Sequence, residues 1–295
     1  MCITPKWFTL ELTVSLALAG SLSPVGPTKP RENPRDGFPQ QSHVESQEPL
    51  PPGFWELQPA QVDAMLLPIP DSDDSRYRHL REYFSDLHCP SSLMVEQTVP
   101  KHKGKNLMCV LPGENAEQIL VLARYERRRE RIGEGWSEAV MLPILYNALL
   151  AQPRQHTFVF AALCGSAGEK QFFGNLRKNN QPTVKAIVGL DRLGMGEPRF
   201  YTARNKLLDT EAAFTAHLQG ISASMYQPAS TPVSESALLS LADRIPSILL
   251  YSALLYSAYT WKVSPPDFRK EFDFAAYYLC RIDTKLVIQT NPPTH

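Results

Sequence analysis

The chain has 295 residues, of which 43% are hydrophobic and 20% are charged, proportions that are ordinary for a globular protein. Lys plus Arg and Asp plus Glu both number 30, so the formal net charge is +0. This balance argues against a nucleic-acid-binding protein, because that class carries a strong basic excess. The length is sufficient for one large α/β domain preceded by a tail.

The N-terminus has the pattern of a signal peptide. Lys6 supplies a single positive charge, residues 12–22 form a short apolar run, and small residues at 19–21 provide a cleavage position. The run is too short to span a bilayer. We therefore expect a secreted or periplasmic protein in which residues 1–22 are a signal peptide, although an amphipathic N-terminus remains the alternative.

A proline-rich segment follows, and we expect residues 23–53 to be a disordered linker. Its prolines are Pro24, Pro27, Pro30, Pro34, Pro39, Pro49, Pro51 and Pro52. A single domain at 54–290 is expected after it. The five cysteines, at positions 2, 89, 109, 164 and 280, have no metal-binding spacing. They are either buried thiols or, in an exported protein, partners in a disulfide.

Strand and helix patterns alternate along this domain. In chain order we expect a helix at 72–87, strands at 93–99, 106–111 and 118–124, a helix at 137–150, strands at 157–163 and 184–190, helices at 210–218 and 234–242, a strand at 247–250 and a helix at 272–285. The apolar stretch 245–261 contains Pro246 and several hydroxyl-bearing residues, which favours a buried strand and loop over a membrane span.

This order predicts an α/β fold with a mixed, mainly parallel central sheet that begins with antiparallel strands and has helices on both faces. Functional sites of such sheets lie beyond the carboxyl ends of the strands. We therefore expect the site among residues 124–136, 164–169 and 191–194.

Six segments then suggest a family: RYRHLREYFSDL, NLMCVLPG, EQILVLARYE, GEGWSEAV, HTFVFAALCGSAGEKQFFGN and VKAIVGLDRLG. Their order resembles metallopeptidase family twenty-eight, which contains two-zinc aminopeptidases and the glutaminyl cyclases. The resemblance implies a zinc-aminopeptidase-like fold and a site assembled from five short signatures.

The first two signatures are altered here. The family has His-x-Asp after the central strand, where the His binds zinc and the Asp orients it. This chain has Arg124-Tyr125-Glu126, and arginine offers a metal no lone pair. The Asp that bridges the two zinc ions corresponds to Gly135, with Trp136 in place of the following Asn and Glu134 one position earlier.

The remaining signatures are partly kept. The family's Glu-Glu pair, general base and zinc ligand, is reduced to Glu169. The Asp of Leu-Asp-x-x-Gly, a zinc ligand, is present as Asp191. The family's last His is missing, since neither His217 nor His295 follows the late strand. Because zinc needs three or four protein ligands, we expect no metal or other cofactor; Glu169 and Asp191 are the residual candidates.

The resulting hypothesis is a metallopeptidase-like pseudoenzyme whose cleft binds a peptide or a protein terminus, or whose role is structural. In one version Trp136 lies at the cleft mouth and holds an amine with Glu134 and Glu138; alternatively Trp136 is a packing residue. The arginine-rich segment 127–131 is interpreted as a solvated loop rather than a nucleic-acid-binding patch.

Two enzymatic alternatives remain open. In the first, an aminopeptidase or cyclase uses zinc held by the substitute carboxylates of Glu126, Glu134, Glu169 and Asp191. In the second, a serine hydrolase uses Ser166, which lies between a strand and a helix, with Asp191 or Asp209 and His217 completing a triad.

A final expectation concerns Arg124. Without metal ions, carboxylates that converge at the strand ends would repel one another. A permanent cation at a ligand position could replace the lost metal charge by pairing with Asp191 and Glu169. The alternative is that Arg124 extends into solvent beside its arginine neighbours.

Overall fold

A seven-stranded mixed sheet lies at the centre of the structure, a computed structural model that describes residues 58–100, 102–127, 135–178, 184–202, 205–221, 245–254 and 263–290. These residues all belong to one unit, Gln47–His295. The expected signal peptide, the linker, Glu134 and the helix expected at 234–242 lie outside the described residues.

The described elements follow one another in the order that the sequence predicts. Three were not expected: the helices Pro59–Leu66 and Gly165–Lys178 and the strand Gly196–Thr202. In chain order the described elements are α1 (Pro59–Leu66), α2 (Asp73–Asp86), β1 (Met94–Thr98), β2 (Lys105–Leu111), β3 (Gln118–Arg124), α3 (Ser137–Leu150), β4 (Thr157–Leu163), α4 (Gly165–Lys178), β5 (Val184–Asp191), β6 (Gly196–Thr202), α5 (Lys206–Leu218), β7 (Ser247–Leu254) and α6 (Pro265–Thr290).

The strand order β1-β2-β4-β3-β5-β7-β6 confirms the predicted mixed, mainly parallel sheet. β4, β3, β5 and β7 are parallel, whereas β1, β2 and β6 run antiparallel to their neighbours. The antiparallel start was expected. The second antiparallel edge, β6, was missed because its residues Gly196, Glu197 and Pro198 have low strand propensity.

Alternate residues of the central strand face two different layers. Ile119, Val121 and Ala123 pack into the larger hydrophobic cluster, which also contains the apolar residues of α1, α2, α3, α5 and α6. Leu120 and Leu122 face the smaller cluster, to which α4 contributes. Burial on both faces explains why the sequence of β3 is a continuous apolar run rather than an alternating one.

The last helix, α6, is longer than its apolar periodicity indicates. It begins at Pro265, where proline is favourable because the first helical N–H groups have no partner within the helix. Ser264 precedes it, and its Oγ accepts a hydrogen bond from the Asp267 N–H at 3.4 Å. In the part of the chain that the structure describes, no helix is long and apolar enough to cross a membrane.

A disulfide joins Cys89, in the loop after α2, to Cys109 in β2, while Cys164 and Cys280 are free thiols. Both sulfur-bearing side chains of the pair are buried. The cross-link ties the second antiparallel strand to the helical layer, and it answers the question that cysteine spacing left open.

Asn106, a fully buried residue of β2, fixes the turn between β4 and α4. Its Oδ1 accepts a hydrogen bond from the Cys164 N–H at 2.9 Å, and its Nδ2 donates to the Gly168 carbonyl at 2.8 Å. Nδ2 also donates to Gln97 Oε1 at 2.6 Å. The side chain therefore bonds the backbone on both sides of the turn and determines where α4 starts.

Arg76, fully buried in α2, holds the chain as it leaves β3. Its Nε donates to the Pro70 carbonyl at 3.2 Å, and its Nη1 donates to the carbonyls of Tyr125 and Glu126, both at 3.1 Å. Burial lowers the pKa of Arg76, and the nearby Glu138 carboxylate partly opposes this shift. The guanidinium thus connects three backbone groups from two separate segments.

Replacing Arg76 with Met should destabilise the fold, because three carbonyls, two of them in buried bonds, lose their donor. We expect the free energy of unfolding to fall by about 3–5 kcal/mol, the range for breaking a buried charged network. Arg78→Met is the matched control, since Arg78 lies in the same helix with 63% of its side chain exposed, and it should cost less than about 1 kcal/mol. Equal denaturant midpoints for the two variants would contradict this role of Arg76.

Candidate functional site

The carboxyl ends of the parallel strands bring four of the predicted site residues to one edge of the sheet. Arg124 ends β3 and pairs in register with Leu163 of β4. Asp191 ends β5, the other neighbour of β3. Glu126 follows β3, and Glu169 lies in α4, directly after β4.

The carboxylate of Glu126 lies against the start of α4. Gly165 has φ +59, and a Cβ at this residue would lie 1.8 Å from Glu126 Oε2. The absence of a side chain at Gly165 therefore allows the carboxylate to approach the helix N-terminus, where the helix dipole favours negative charge. The Glu126 carboxylate therefore lies next to the first residues of α4.

Gly135 is required by the backbone at the start of α3. Its φ is +80, and a Cβ would lie 2.3 Å from the Glu126 carbonyl oxygen. Its N–H donates to Glu138 Oε1 at 2.9 Å. Gly135 thus forms a turn whose backbone leaves no room for a side chain and whose N–H binds the carboxylate of Glu138.

Trp136 is a core residue, so the version of the binding hypothesis in which it lies at the cleft mouth is wrong. Its side chain is fully buried. Its ring packs edge-on against His79 of α2, with centroids 6.3 Å apart, and also contacts Tyr83. Glu138 was expected to bind an amine together with Trp136. It is likewise buried, and it accepts hydrogen bonds from Gly135 and Ser137.

Glu169 is fully buried, and within the described residues neither of its carboxylate oxygens has a hydrogen-bond partner. Burial raises its pKa from 4.5 to about 7. The positive charge of Arg124 opposes this rise, and the negative charge of Glu126 adds to it. The carboxyl group therefore titrates near neutral pH.

Arg124 does not pair with the two acids that we expected. Its side chain is only 8% exposed, yet across the described segments no hydrogen bond or ion pair joins it to Glu169 or Asp191. Asp191 instead accepts from Nε of its chain neighbour Arg192 at 3.0 Å. The pairing hypothesis is therefore wrong in this form, and the solvent alternative is also wrong, because Arg124 is buried.

Solved structures with this arrangement of strands and helices include peptidases. The LapA aminopeptidase of Legionella pneumophila matches with TM-score 0.57 at 12% identity, over 78% of this chain and 76% of that chain. A glutaminyl cyclase from Fimbriiglobus ruber matches with TM-score 0.60 at 14% identity, over 76% and 95%. A zinc aminopeptidase from Bacillus subtilis matches with TM-score 0.50 at 13% identity, over 60% and 50%.

The fold is that of aminopeptidases and glutaminyl cyclases. No protein-family model matches the sequence, and no curated protein matches it. At these identities the likeness concerns the backbone architecture alone.

The side chains at the strand ends can be judged by whether they could hold a metal ion. Among the residues that the structure describes, no group of three or more His, Cys, Asp or Glu side chains could hold a metal ion. Arg124 offers no lone pair, Glu126 lies against the start of α4, and Asp191 accepts a hydrogen bond from Arg192. The described residues do not fit a zinc ion, which needs about three or four converging ligands.

The serine hydrolase alternative is wrong, because its proposed nucleophile and base lie on opposite faces of the sheet. Ser166 is an exposed residue at the start of α4, the helix that packs on the smaller cluster through Phe172 and Phe173. His217 is an exposed residue near the end of α5, which packs into the larger cluster. Sequence order alone could not distinguish the two faces.

A buried acid that no family signature indicates, Glu271 of α6, anchors the loop after β5. The hydroxyl of Ser252 donates to its Oε1 at 2.6 Å, and the Gly194 N–H donates to its Oε2. The Met195 N–H donates in turn to Ser252 Oγ at 3.0 Å. The sequence could have indicated this buried acid, because Glu271 lies within the apolar stripe that includes Phe268 and Phe272.

Burial, together with the charges of Asp267 and Glu138, raises the pKa of Glu271 from 4.5 to about 8, against the opposing hydrogen bonds of Ser252 and Gly194. The folded state therefore keeps a proton that the unfolded chain releases. Its contribution to stability is complete below about pH 4.5 and is lost as the pH rises to about 8.

Glu271→Gln should remove this pH dependence, because an amide can accept from the Gly194 N–H and donate to Ser252 without ionising. We expect the variant to match wild type near pH 5 and to be more stable near pH 8, with the difference growing by up to about 1.4 kcal/mol per pH unit. Denaturant unfolding across this range tests it, with the exposed Glu82→Gln as control. Parallel pH profiles for wild type and Glu271→Gln would contradict the assignment.

Proposed function

We propose that this chain is a metallopeptidase-like pseudoenzyme that keeps the strand-end cleft of the aminopeptidase and glutaminyl cyclase fold as a binding site. The observation that carries the proposal is Arg124, a buried guanidinium at the strand end where the resemblance places the first zinc-binding His. A guanidinium stays protonated and repels a metal cation.

The neighbouring acids support the same proposal. Glu126 lies against the N-terminus of α4 and Asp191 is paired with Arg192, so a metal would have to draw the first carboxylate away from the helix and break the second pair. A water molecule without a metal keeps its high pKa and is a poor nucleophile at neutral pH. A purely structural role for the fold agrees with these contacts equally well.

The active-enzyme alternative requires substitute ligands. Glu126, Glu134, Glu169 and Asp191 would have to converge on zinc, yet Asp191 already accepts a hydrogen bond from Arg192, and among the described residues only Glu169 is known to be buried with both oxygens unsatisfied. Carboxylates without imidazole suit a weakly held hard cation better than zinc. We therefore favour the binding role.

An assay on the purified full-length protein separates these functions. We expect no cleavage of aminoacyl amides and no cyclisation of an N-terminal glutaminyl peptide, with or without added zinc, beside an active zinc aminopeptidase and a glutaminyl cyclase as positive controls. Plasma mass spectrometry should find well under about one zinc per chain, because fewer than three ligands converge. One or two zinc ions per chain with zinc-dependent turnover would refute the pseudoenzyme.

We also propose that the protein is exported. The signal-peptide pattern at 1–22 motivates this, and the Cys89–Cys109 disulfide supports it, because such bonds persist in oxidising compartments and are rare in the cytosol.

Export predicts a processed N-terminus. N-terminal sequencing of the protein from its native cells should give a start near residue 22, in an extracytoplasmic fraction, because signal peptides are removed at small residues. A chain that keeps Met1 or Cys2 and has reduced Cys89 and Cys109 in the cytoplasm would contradict the proposal.

A further inference from the structure

A buried histidine lies between two carboxylates at the amino ends of the parallel strands, the end of the sheet opposite the candidate site. His156 directly precedes β4 and is fully buried. Its Nδ1 lies 2.8 Å from Oδ1 of Asp283 in α6, and its Nε2 lies 3.6 Å from Oε2 of Glu117, the residue before β3. Within the described residues Nε2 has no hydrogen-bond partner. Three separate segments of the chain therefore meet at this ring.

The bonds of Asp283 determine which ring nitrogen always carries a proton. Its Oδ2 accepts from the Gln155 N–H at 2.8 Å, and its Oδ1 accepts from the His156 N–H at 2.8 Å. Because an ionised carboxylate can only accept hydrogen bonds, Nδ1 of the ring must donate to Oδ1. Nε2 is consequently the atom that gains or loses a proton when the imidazole titrates.

Glu117 is placed to accept a hydrogen bond from a protonated Nε2. The Thr157 N–H donates to the Glu117 carbonyl at 2.8 Å and so holds this residue beside the start of β4. Lys185 Nζ bonds the other carboxylate oxygen, Oε1, at 2.9 Å. Without its proton, Nε2 directs a lone pair towards the negative charge of Oε2. With its proton, it directs an N–H there, and a shift of about 0.5 Å completes the bond.

We infer that His156, Asp283 and Glu117 form a proton-sensitive latch for α6. When Nε2 carries its proton, the imidazolium donates to both carboxylates and ties α6 to the starts of β3 and β4. When that proton leaves, the bond to Glu117 is lost and the attachment weakens. This inference goes beyond the proposed function and does not depend on it, because the latch lies away from the strand ends that carry the candidate site.

The other charged or titratable groups that face the latch are Lys185 of β5, Arg154 of the loop before β4 and Cys280 of α6. Burial lowers the pKa of Arg154 and the charge of Asp283 opposes this shift, but the guanidinium stays protonated. Burial raises the pKa of Cys280 to about 12, so its thiol is neutral. Histidine is the side-chain type that ordinarily titrates between about pH 5 and 8, which makes His156 the sensing group.

The sign of the effect follows from where the proton is bound. The folded state offers the imidazolium two carboxylates that the unfolded chain does not hold in place, so the latch contributes stability at low pH and loses it as Nε2 of the folded protein is deprotonated. Glu271 anchors the same helix at the other end of the sheet, through Ser252 and Gly194. Opening the latch should therefore loosen the half of α6 that contains Asp283.

Heteronuclear NMR of the ring nitrogens in the full-length protein tests the proton directly, with the His156 signals assigned by their loss in His156→Gln. We expect Nδ1 to stay protonated from about pH 5 to 8 and Nε2 to gain its proton as the pH falls. In Glu117→Gln, Nε2 should gain the proton at least about one pH unit lower, a tenfold weaker binding, because the charged acceptor is gone. Glu82→Gln, whose parent residue is exposed on α2, is the matched control and should titrate as wild type does.

Hydrogen exchange of the backbone at residues 280–285 tests the attachment of α6. Every protein compared carries Glu271→Gln, so that the buried acid at the other end of the helix does not contribute. After correction for the intrinsic rates, we expect protection at 280–285 to fall by at least about tenfold as Nε2 loses its proton, and to fall less when Glu117→Gln is added.

Several results would overturn the latch. Nε2 that gains no proton down to about pH 5, or that keeps it throughout to about pH 8, would remove the sensing group. An Nε2 titration that is identical in wild type and Glu117→Gln would remove the acceptor. Protection of 280–285 that does not follow the Nε2 titration would show that the proton does not control α6. The NMR titration of wild type needs no variant to be folded.

Discussion

The arrangement of the strand ends depends on one buried guanidinium, that of Arg76. It bonds the carbonyls of Tyr125 and Glu126 immediately after Arg124, and the carbonyl of Pro70 before α2. Asn106 plays the corresponding part at the neighbouring strand β4, where it bonds the Cys164 N–H and the Gly168 carbonyl. Two polar side chains from the helical layer and from β2 thus fix the backbone on which Arg124 and Glu169 are carried.

Local partners determine what each acid at this edge can do. Glu126 is held at a helix N-terminus, Asp191 is held by the next residue in the chain, and Glu138 accepts from the turn at Gly135. In a two-zinc site such acids would converge on shared ions, whereas here Asp191 and Glu138 bond groups within their own segments and Glu126 lies against the start of α4. The charge of Arg124 therefore acts on Glu169 through space rather than through a hydrogen bond.

The fold could be predicted well because its central elements are defined by burial. The bounds expected for β3, α3 and β4 agree with the structure, since their apolar runs end where the chain leaves the core. The arrangement of the site could be predicted less well. The position of Arg124 at a strand end followed from sequence, but its pairing did not, because Arg192 reaches Asp191 from a left-handed backbone conformation, φ +52, that no pattern indicated. The apolar periodicity of α4 and α5 also does not indicate on which side of the sheet each helix packs. The triad that joined Ser166 to His217 was incorrect for this reason.

The strand order has a consequence for how copies of this chain can meet. Any added strand must pair with β1 or β6, because these are the outermost strands. On β1, Glu96 bonds Lys105 and Arg81, and β6 contains Pro198 beside the Glu197–Arg199 ion pair. Charged side chains and proline at such borders oppose the growth of a sheet from one molecule into the next. Among the described residues, both borders of the sheet therefore oppose edge-to-edge polymerisation of the chain.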